Sequence, residues 1–286
     1  MAARRRAAAP RADIVRTFPS LSAMVAAAKG VSAFDGERAS RRESGDWHGS
    51  ASWDEALKVV YRWDEGIRDV DAMRVAIVNG EEKLRTRTIR RPTPPGRVDV
   101  AGVVACNPRA GFIARKPVAS TRHAKGRVVR VLVNISAASE VSPEAIKRRG
   151  AAVLALVDML QNRGLRVEVL GTFTNVKAGV LEYRWTVKAA NANASLATLA
   201  FGLAHPSMLR RIVFSMMECE PAQIRQAFNI RQGGGYGTPG DSQYGATVRD
   251  QGGIYLPALT MDGVWTSDET AREWVRDEVE RVMGGR

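Results

Sequence analysis

The run from Arg127 to Gly171, RVVRVLVNISAASEVSPEAIKRRGAAVLALVDMLQNRGLRVEVLG, constrains the architecture more than any other stretch of this chain. Val128–Ile135 is a near-continuous β-branched run, the mark of a strand buried on both faces of a parallel sheet. Ser142-Pro143-Glu144 then opens a helix. Ser142 can cap it, and Pro143 suits the first helical position, where no N–H is needed. Ala152, Leu156, Met159 and Leu160 give that helix one apolar stripe. Gly164 supplies a left-handed turn, and Leu165–Leu170 is the next strand. A strand–helix–strand unit of this length is a crossover between parallel strands, expected to be right-handed. The spacing therefore predicts an α/β fold, with a three-layer, mostly parallel sheet and flanking helices.

Downstream, Leu181–Ala189 reads as a third strand and Ser195–Ala204 as a helix that His205-Pro206 interrupts. Ser207–Met217 is helical or mixed, with IVFSMM open to a strand instead. Gly253–Leu259 is a last strand, and Asp268–Met283 a closing amphipathic helix. Upstream, Leu21–Lys29 fits a short helix ending at Gly30. Ser52 and Glu55 form a capping box before Ala56, Val59, Val60 and Trp63, and a second helix follows over Val70–Val78. Pro92-Thr93-Pro94-Pro95-Gly96 and Lys116-Pro117 break up the middle of the chain. The expected organisation is a largely disordered basic N-terminus (1–45), a helical module (46–82), a basic irregular arm with one strand (83–126) and an α/β domain (127–286).

An apolar fraction of 45% over 286 residues is enough for a sizeable core. No apolar run reaches the roughly 18 residues of a membrane span, so no membrane role is expected. The start, MAARRRAAAPRAD, has a basic cluster without the apolar segment of a signal peptide. Two cysteines, Cys106 and Cys219, form neither a disulfide framework nor a metal cluster, and a cytoplasmic setting is expected.

Net charge is +13, and its distribution matters more than its size. Residues 1–82 carry 13 basic and 13 acidic side chains, and residues 131–286 carry 17 and 16. Residues 83–130 carry 13 basic side chains and one acid, Asp99. Clustered cations raise a local potential that a dispersed set does not, which implies an anionic partner. Lys83, Arg85 and Arg87 alternate, so on an extended chain they share one face at roughly 6.6–6.8 Å. Arg90, Arg91, Arg97, Arg115, Lys116, Arg122 and Lys125 continue the charge. Phe112 is the only aromatic residue in the segment, so stacking on single-stranded bases is not indicated. The pattern suits phosphate-led, weakly sequence-specific nucleic-acid binding, or contact with an acidic protein.

VRVLVNISAAS followed by RGAAVLALVDMLQNRGLRVEVLG resembles the opening of von Willebrand factor A-type domains. In that family an apolar strand ends in Asp-x-Ser-x-Ser, whose side chains hold a divalent metal. Carried over, the Asp position is Asn134, the first Ser is Ser136, and the second falls on Ala138, with Ser139 one residue out of register. A neutral Asn carbonyl lacks the anion that favours a hard cation, and Thr172 and Thr174 are the candidates to complete the set. The resemblance thus implies the scaffold without a metal or other cofactor. Trp47, Gly49, Ser52, Glu55 and Ala56 are similar to the start of uncharacterised bacteriophage-encoded proteins, which implies a host cytoplasm or a virion.

No catalytic set stands out. His48, His123 and His205 lie far apart, neither cysteine has a partner arrangement, and G-x-S-x-G, H-E-x-x-H and P-loop patterns are missing from the sequence. Trp47 reads as a staple for the next helix. Gly233–Gly240 could cradle a phosphate but has no lysine, and a mobile surface loop fits it better. Two functions follow: a non-enzymatic interaction or scaffold protein with a protein partner, or a nucleic-acid-binding protein using residues 83–130. The second predicts binding to a generic duplex that collapses as salt rises. Charge reversal at Arg85, Arg87, Arg90 and Arg91 should weaken all sequences alike, and a flat salt response would sink it.

Overall fold

The computed structural model describes residues 13–37, 39–42, 46–60, 63–79, 86–91, 97–98, 112–117, 126–177, 179–192, 196–232 and 235–284. In chain order the elements are β1 (Ile14–Phe18), α1 (Leu21–Ala28), α2 (Trp53–Val59), α3 (Asp64–Asn79), β2 (Thr86–Arg91), β3 (Arg97–Val98), β4 (Phe112–Pro117) and β5 (Val128–Asn134). Then come α4 (Pro143–Asn162), β6 (Arg166–Val176), β7 (Val180–Lys188), α5 (Leu196–Ala204), a π-helical turn (Met208–Val213), α6 (Phe214–Glu218) and α7 (Ala222–Ala227). The chain closes with β8 (Ile230–Arg231), β9 (Gly235–Tyr236), α8 (Gln243–Asp250), β10 (Ile254–Leu256), a 3-10 turn (Gly263–Thr266) and α9 (Asp268–Gly284).

The fold is mixed α/β, with a mostly parallel central sheet flanked by helices. Strand order is β1-β7-β6-β5-β10. β5 is parallel to both β6 and β10, β7 returns antiparallel to β6, and β1 lies parallel to β7. Register places Asn134 opposite Thr172 and Arg130 opposite Glu168. The expected helix over Pro143–Asn162 forms as read, with the Ser142 hydroxyl accepting from Ala145 N at 3.1 Å.

The two faces of the sheet are not equal. Val129, Val131 and Val133 enter the large core with α4, which packs against α3, α5 and α9. Leu132, Val248 and Tyr255 form a small separate cluster under α8 on the other face. At the N-terminal end of that face Arg130 bonds Glu168 at 2.6 Å in place of apolar cover. The expectation of a strand buried on both faces therefore holds only for the second half of β5.

The expected division into modules is corrected in three places. Residues 1–12 lie outside the described residues, but β1 is the edge strand of the central sheet and α1 is buried along Leu21, Met24, Val25 and Ala28. Arg16 clamps both carboxylate oxygens of Glu220 through one guanidinium edge, Nε and Nη2, at 3.0 and 2.9 Å. The N-terminal segment thus belongs to the α/β body. The helical pair is also part of it: α3 packs on α4, with Arg74 bonded to Asp158. In the basic segment, expected to be irregular with one strand, the described residues form a three-stranded antiparallel sheet of order β2-β4-β3. Residues 207–218 are helical and not a strand.

Helix α4 meets α5 at Gly150, where a Cβ would lie 2.2 Å from Ala204 Cβ and 2.5 Å from its Cα. Only a hydrogen fits between these helices. Replacing Gly with Ala gains about 1 kcal/mol of helix propensity, but overpacking costs roughly 1–3 kcal/mol or more. Gly150→Val should lower the urea midpoint, and a rise would show that the helices can part.

Candidate functional site

The C-terminal ends of β5 and β10 lie at one edge of the sheet, where ligands of open α/β folds collect. Residues after β5 do not hang free there. Ile135 N donates to Thr172 O at 2.7 Å, Ala138 N to Leu259 O at 2.8 Å, and Leu259 N to Ser136 O at 2.8 Å. The would-be metal loop is spliced between β6 and the segment after β10 as further extended chain.

Its polar side chains turn inward. Asn134 Nδ2 donates to Gly240 O at 2.8 Å and to the Tyr255 hydroxyl at 3.3 Å, while Oδ1 accepts Ser136 N at 3.0 Å. The Ser136 hydroxyl donates to Thr174 O and accepts Thr174 N. Thr172 Oγ1 donates to buried Glu182, which also accepts from Ser242 and Arg184. Ser139 is exposed, and its carbonyl accepts Trp47 Nε1 at 3.2 Å.

Behind the loop, the buried Arg149 guanidinium donates to Asn134 O at 2.8 Å and to Pro257 O. A divalent cation needs oxygen ligands with free lone pairs and anionic charge. Here the Asn134, Ser136 and Thr172 oxygens are committed to protein donors or acceptors, and a fixed cation already stands at the strand end. Among the described residues no group of three His, Cys, Asp or Glu could hold a metal. The residues that the von Willebrand resemblance assigns to an ion do not fit one.

What the loop does build is a cleft of about 370 Å³. Ala137, Ala138, Ser139 and Glu140 form one lip, and Gly235–Pro239 the other. Trp47, Phe173, Phe214 and Tyr236 supply the walls. Phe214 and Tyr236 stack with centroids 3.8 Å apart, and the Tyr236 hydroxyl is turned away to Glu218 Oε1 at 2.6 Å. Arg210 lies 4.2 Å from the Trp47 ring and donates to Trp47 O and Val141 O. Trp47 therefore forms a wall of this cleft instead of stapling α2.

The glycine-rich lip is held in place, not loose. Buried Asn175 donates to Phe228 O and Tyr236 O and accepts Thr238 N. Gly237 has φ +86, and a Cβ there would meet Asn175 Nδ2 at 2.0 Å. Glycine is required at this position for both conformation and space.

Of the cationic residues singled out from sequence, Arg87, Arg90 and Arg91 lie in β2, Arg97 in β3, and Arg115 and Lys116 in β4. Register sets Arg87 opposite Lys116. Lys83, Arg85, Arg122 and Lys125 lie outside the described residues, as do Cys106 and His123. Sequence reasoning missed Arg149, Arg210, Phe214 and Tyr236. The two arginines had a signal: each sits in an otherwise apolar helical face. Among the described residues no helix is long and apolar enough to cross a membrane.

Two buried histidines give the molecule an acid limit. Burial, with Arg211 and Arg210 nearby, holds His48 down at about 4. Burial and Lys147 hold His205 at about 3. Both return to about 6.5 in the unfolded chain, which then takes up protons that the folded form refuses. This contribution is complete above about pH 6.5 and is lost as pH falls from there toward 4. Urea midpoints should fall across that window, and His48→Gln should flatten part of the slope. An unchanged slope in the variant would remove His48 from the account.

Comparison with curated proteins and with solved structures finds no match. Over residues 6–282 the sequence matches the family described as a domain of unknown function, DUF7192. That span takes in the central sheet, the spliced loop and every wall of the cleft, and the chain belongs to this family.

Proposed function

We propose that this is a non-enzymatic interaction or scaffold protein, built on a degenerate von Willebrand A-like domain, that receives a protein partner in the aromatic cleft. The observation that carries this is the cleft itself. It opens beside the loop to which the resemblance assigns a divalent metal, while the polar side chains Asn134 and Ser136 of that loop are committed inside. The strand, loop, helix and second strand of the resemblance follow in order through β5, α4 and β6. Among the described residues the lining includes one charged side chain, Glu140, and no histidine, cysteine or lysine. That set offers shape and ring surface, not a nucleophile and base. The similarity of the start to phage-encoded proteins would place the partner in an infected cell or a virion.

The second reading, nucleic-acid binding, draws on the small sheet of β2, β3 and β4. It gathers Arg87, Arg90, Arg91, Arg97, Arg115 and Lys116 onto three adjacent strands. Strand pairs of this kind can enter a groove, with phosphate contacts supplying most of the affinity.

The test of the first reading is partner capture by the full chain from cells of its source, with and without chelator. Capture should be undiminished by chelator and lost in Ala138→Trp, which fills the cleft. Capture that requires a divalent ion, or that ignores the Trp, would overturn it.

A further inference from the structure

We infer that the cleft receives a cation, the arginine or lysine side chain of a partner protein, and this rests on the cleft being the partner site. Several polar atoms of the walls are already used. Trp47 Nε1 is bonded to Ser139 O, and the Tyr236 hydroxyl to Glu218 Oε1. Thr238 N is taken by Asn175 Oδ1, Ala138 N by Leu259 O, and Thr238 O by Val176 N. The cleft therefore presents aromatic carbon, with the Glu140 carboxylate as its one charged group. Ring faces beside a carboxylate are the chemistry that selects a cation on an apolar stem.

The charges behind the walls are mixed. Arg210 stands behind the Trp47 ring and opposes a second cation. Glu218 stands behind Tyr236 and accepts its hydroxyl proton at 2.6 Å, which makes that ring more electron-rich. Glu218 offsets one of the two guanidiniums behind the walls, Arg210 and Arg149, and Glu140 is the charged side chain on the open lip. Phe173 and Phe214 are 4% and 8% exposed and serve as floor, whereas Trp47 is 38% exposed and Tyr236 half-buried. The exposed rings are thus the ones that can meet a ligand. A volume of about 370 Å³ lies at the small end of ligand pockets, suited to one or two side chains and not to a folded element.

The test uses the full chain, amide shift mapping by NMR, and capped tripeptides Gly-X-Gly with X as Arg, Lys, Leu or Glu. The arginine and lysine peptides should shift Ala138, Gly235 and Gly237 saturably, and the glutamate peptide should not. Glu140→Gln, a surface change that leaves the walls intact, should weaken the arginine peptide by roughly three- to tenfold. Equal binding of the leucine peptide, or an unchanged affinity in Glu140→Gln, would overturn the cation preference. So would a cleft that no peptide shifts. If Ala138→Trp still abolishes partner capture in those cases, the cleft remains the partner site and only its selectivity has been misread. If capture survives Ala138→Trp, the cleft reading and the cation inference fall together.

Discussion

Three buried guanidiniums bonded to main-chain carbonyls hold the irregular backbone of this protein in place. Arg149 takes Asn134 O and Pro257 O, Arg210 takes Trp47 O and Val141 O, and Arg211 takes Ser40 O, Ser50 O and the Ser50 hydroxyl. Desolvating such an ion costs several kcal/mol, so each needs most of its donors satisfied where it lies, and Arg149 leaves its buried Nε without a hydrogen-bond partner among the described residues. Carbonyls outside regular ladders need donors as much as the guanidiniums need acceptors. A guanidinium, with five donors in a fixed fork, can bridge two segments that share no ladder, which an ammonium does poorly. Burial lowers Arg149 and Arg210 only to about 10, so both keep their charge at neutral pH.

This constraint explains why the strand ends carry a cleft and not an ion. Once Arg149 occupies the carbonyls at the ends of β5 and β10, positive charge is already present there. The neutral Asn134 suits that setting: its amide ties Gly240 to Tyr255, and its oxygen closes the turn at Ser136. The Ser136 hydroxyl takes up the Thr174 N–H and carbonyl, while the buried Thr174 hydroxyl has no hydrogen-bond partner among the described residues, and the loop backbone runs on as strand. The small residues Ala137 and Ala138 then form a low lip beside the aromatic rings.

The α/β unit from Val128 to Val176 was legible because its signals are local: a β-branched run, a cap with proline, an apolar stripe, a glycine turn. The two end helices were legible for the same reason. What was not legible depended on distant partners. Ile14–Phe18 is too short and too polar to read as a strand, and becomes one because β7 offers an edge and Glu220 receives Arg16. Trp47 reads as a helix staple from its neighbours in sequence, but Arg210 and Ser139 decide where its ring goes. The glycine-rich lip reads as loose because its organiser, Asn175, lies on another strand. That Asn134 stands where the resemblance would put an aspartate was visible in the sequence. The cleft beside it was not, because its rings come from four separate segments.

That dispersal has a consequence for how the molecule is made. Trp47 is 163 residues from Arg210 in the chain and 92 from Ser139, so its wall closes only when remote segments have met. Contacts of this span raise contact order and are formed late, after local units such as the β5–α4–β6 crossover have collapsed. Trp47 is synthesised well before Tyr236, yet the wall they share is complete only after Tyr236 has emerged. The binding surface is therefore a record of finished folding: a chain that stops short, or whose first fifty residues have not closed onto the sheet, has no complete cleft to offer.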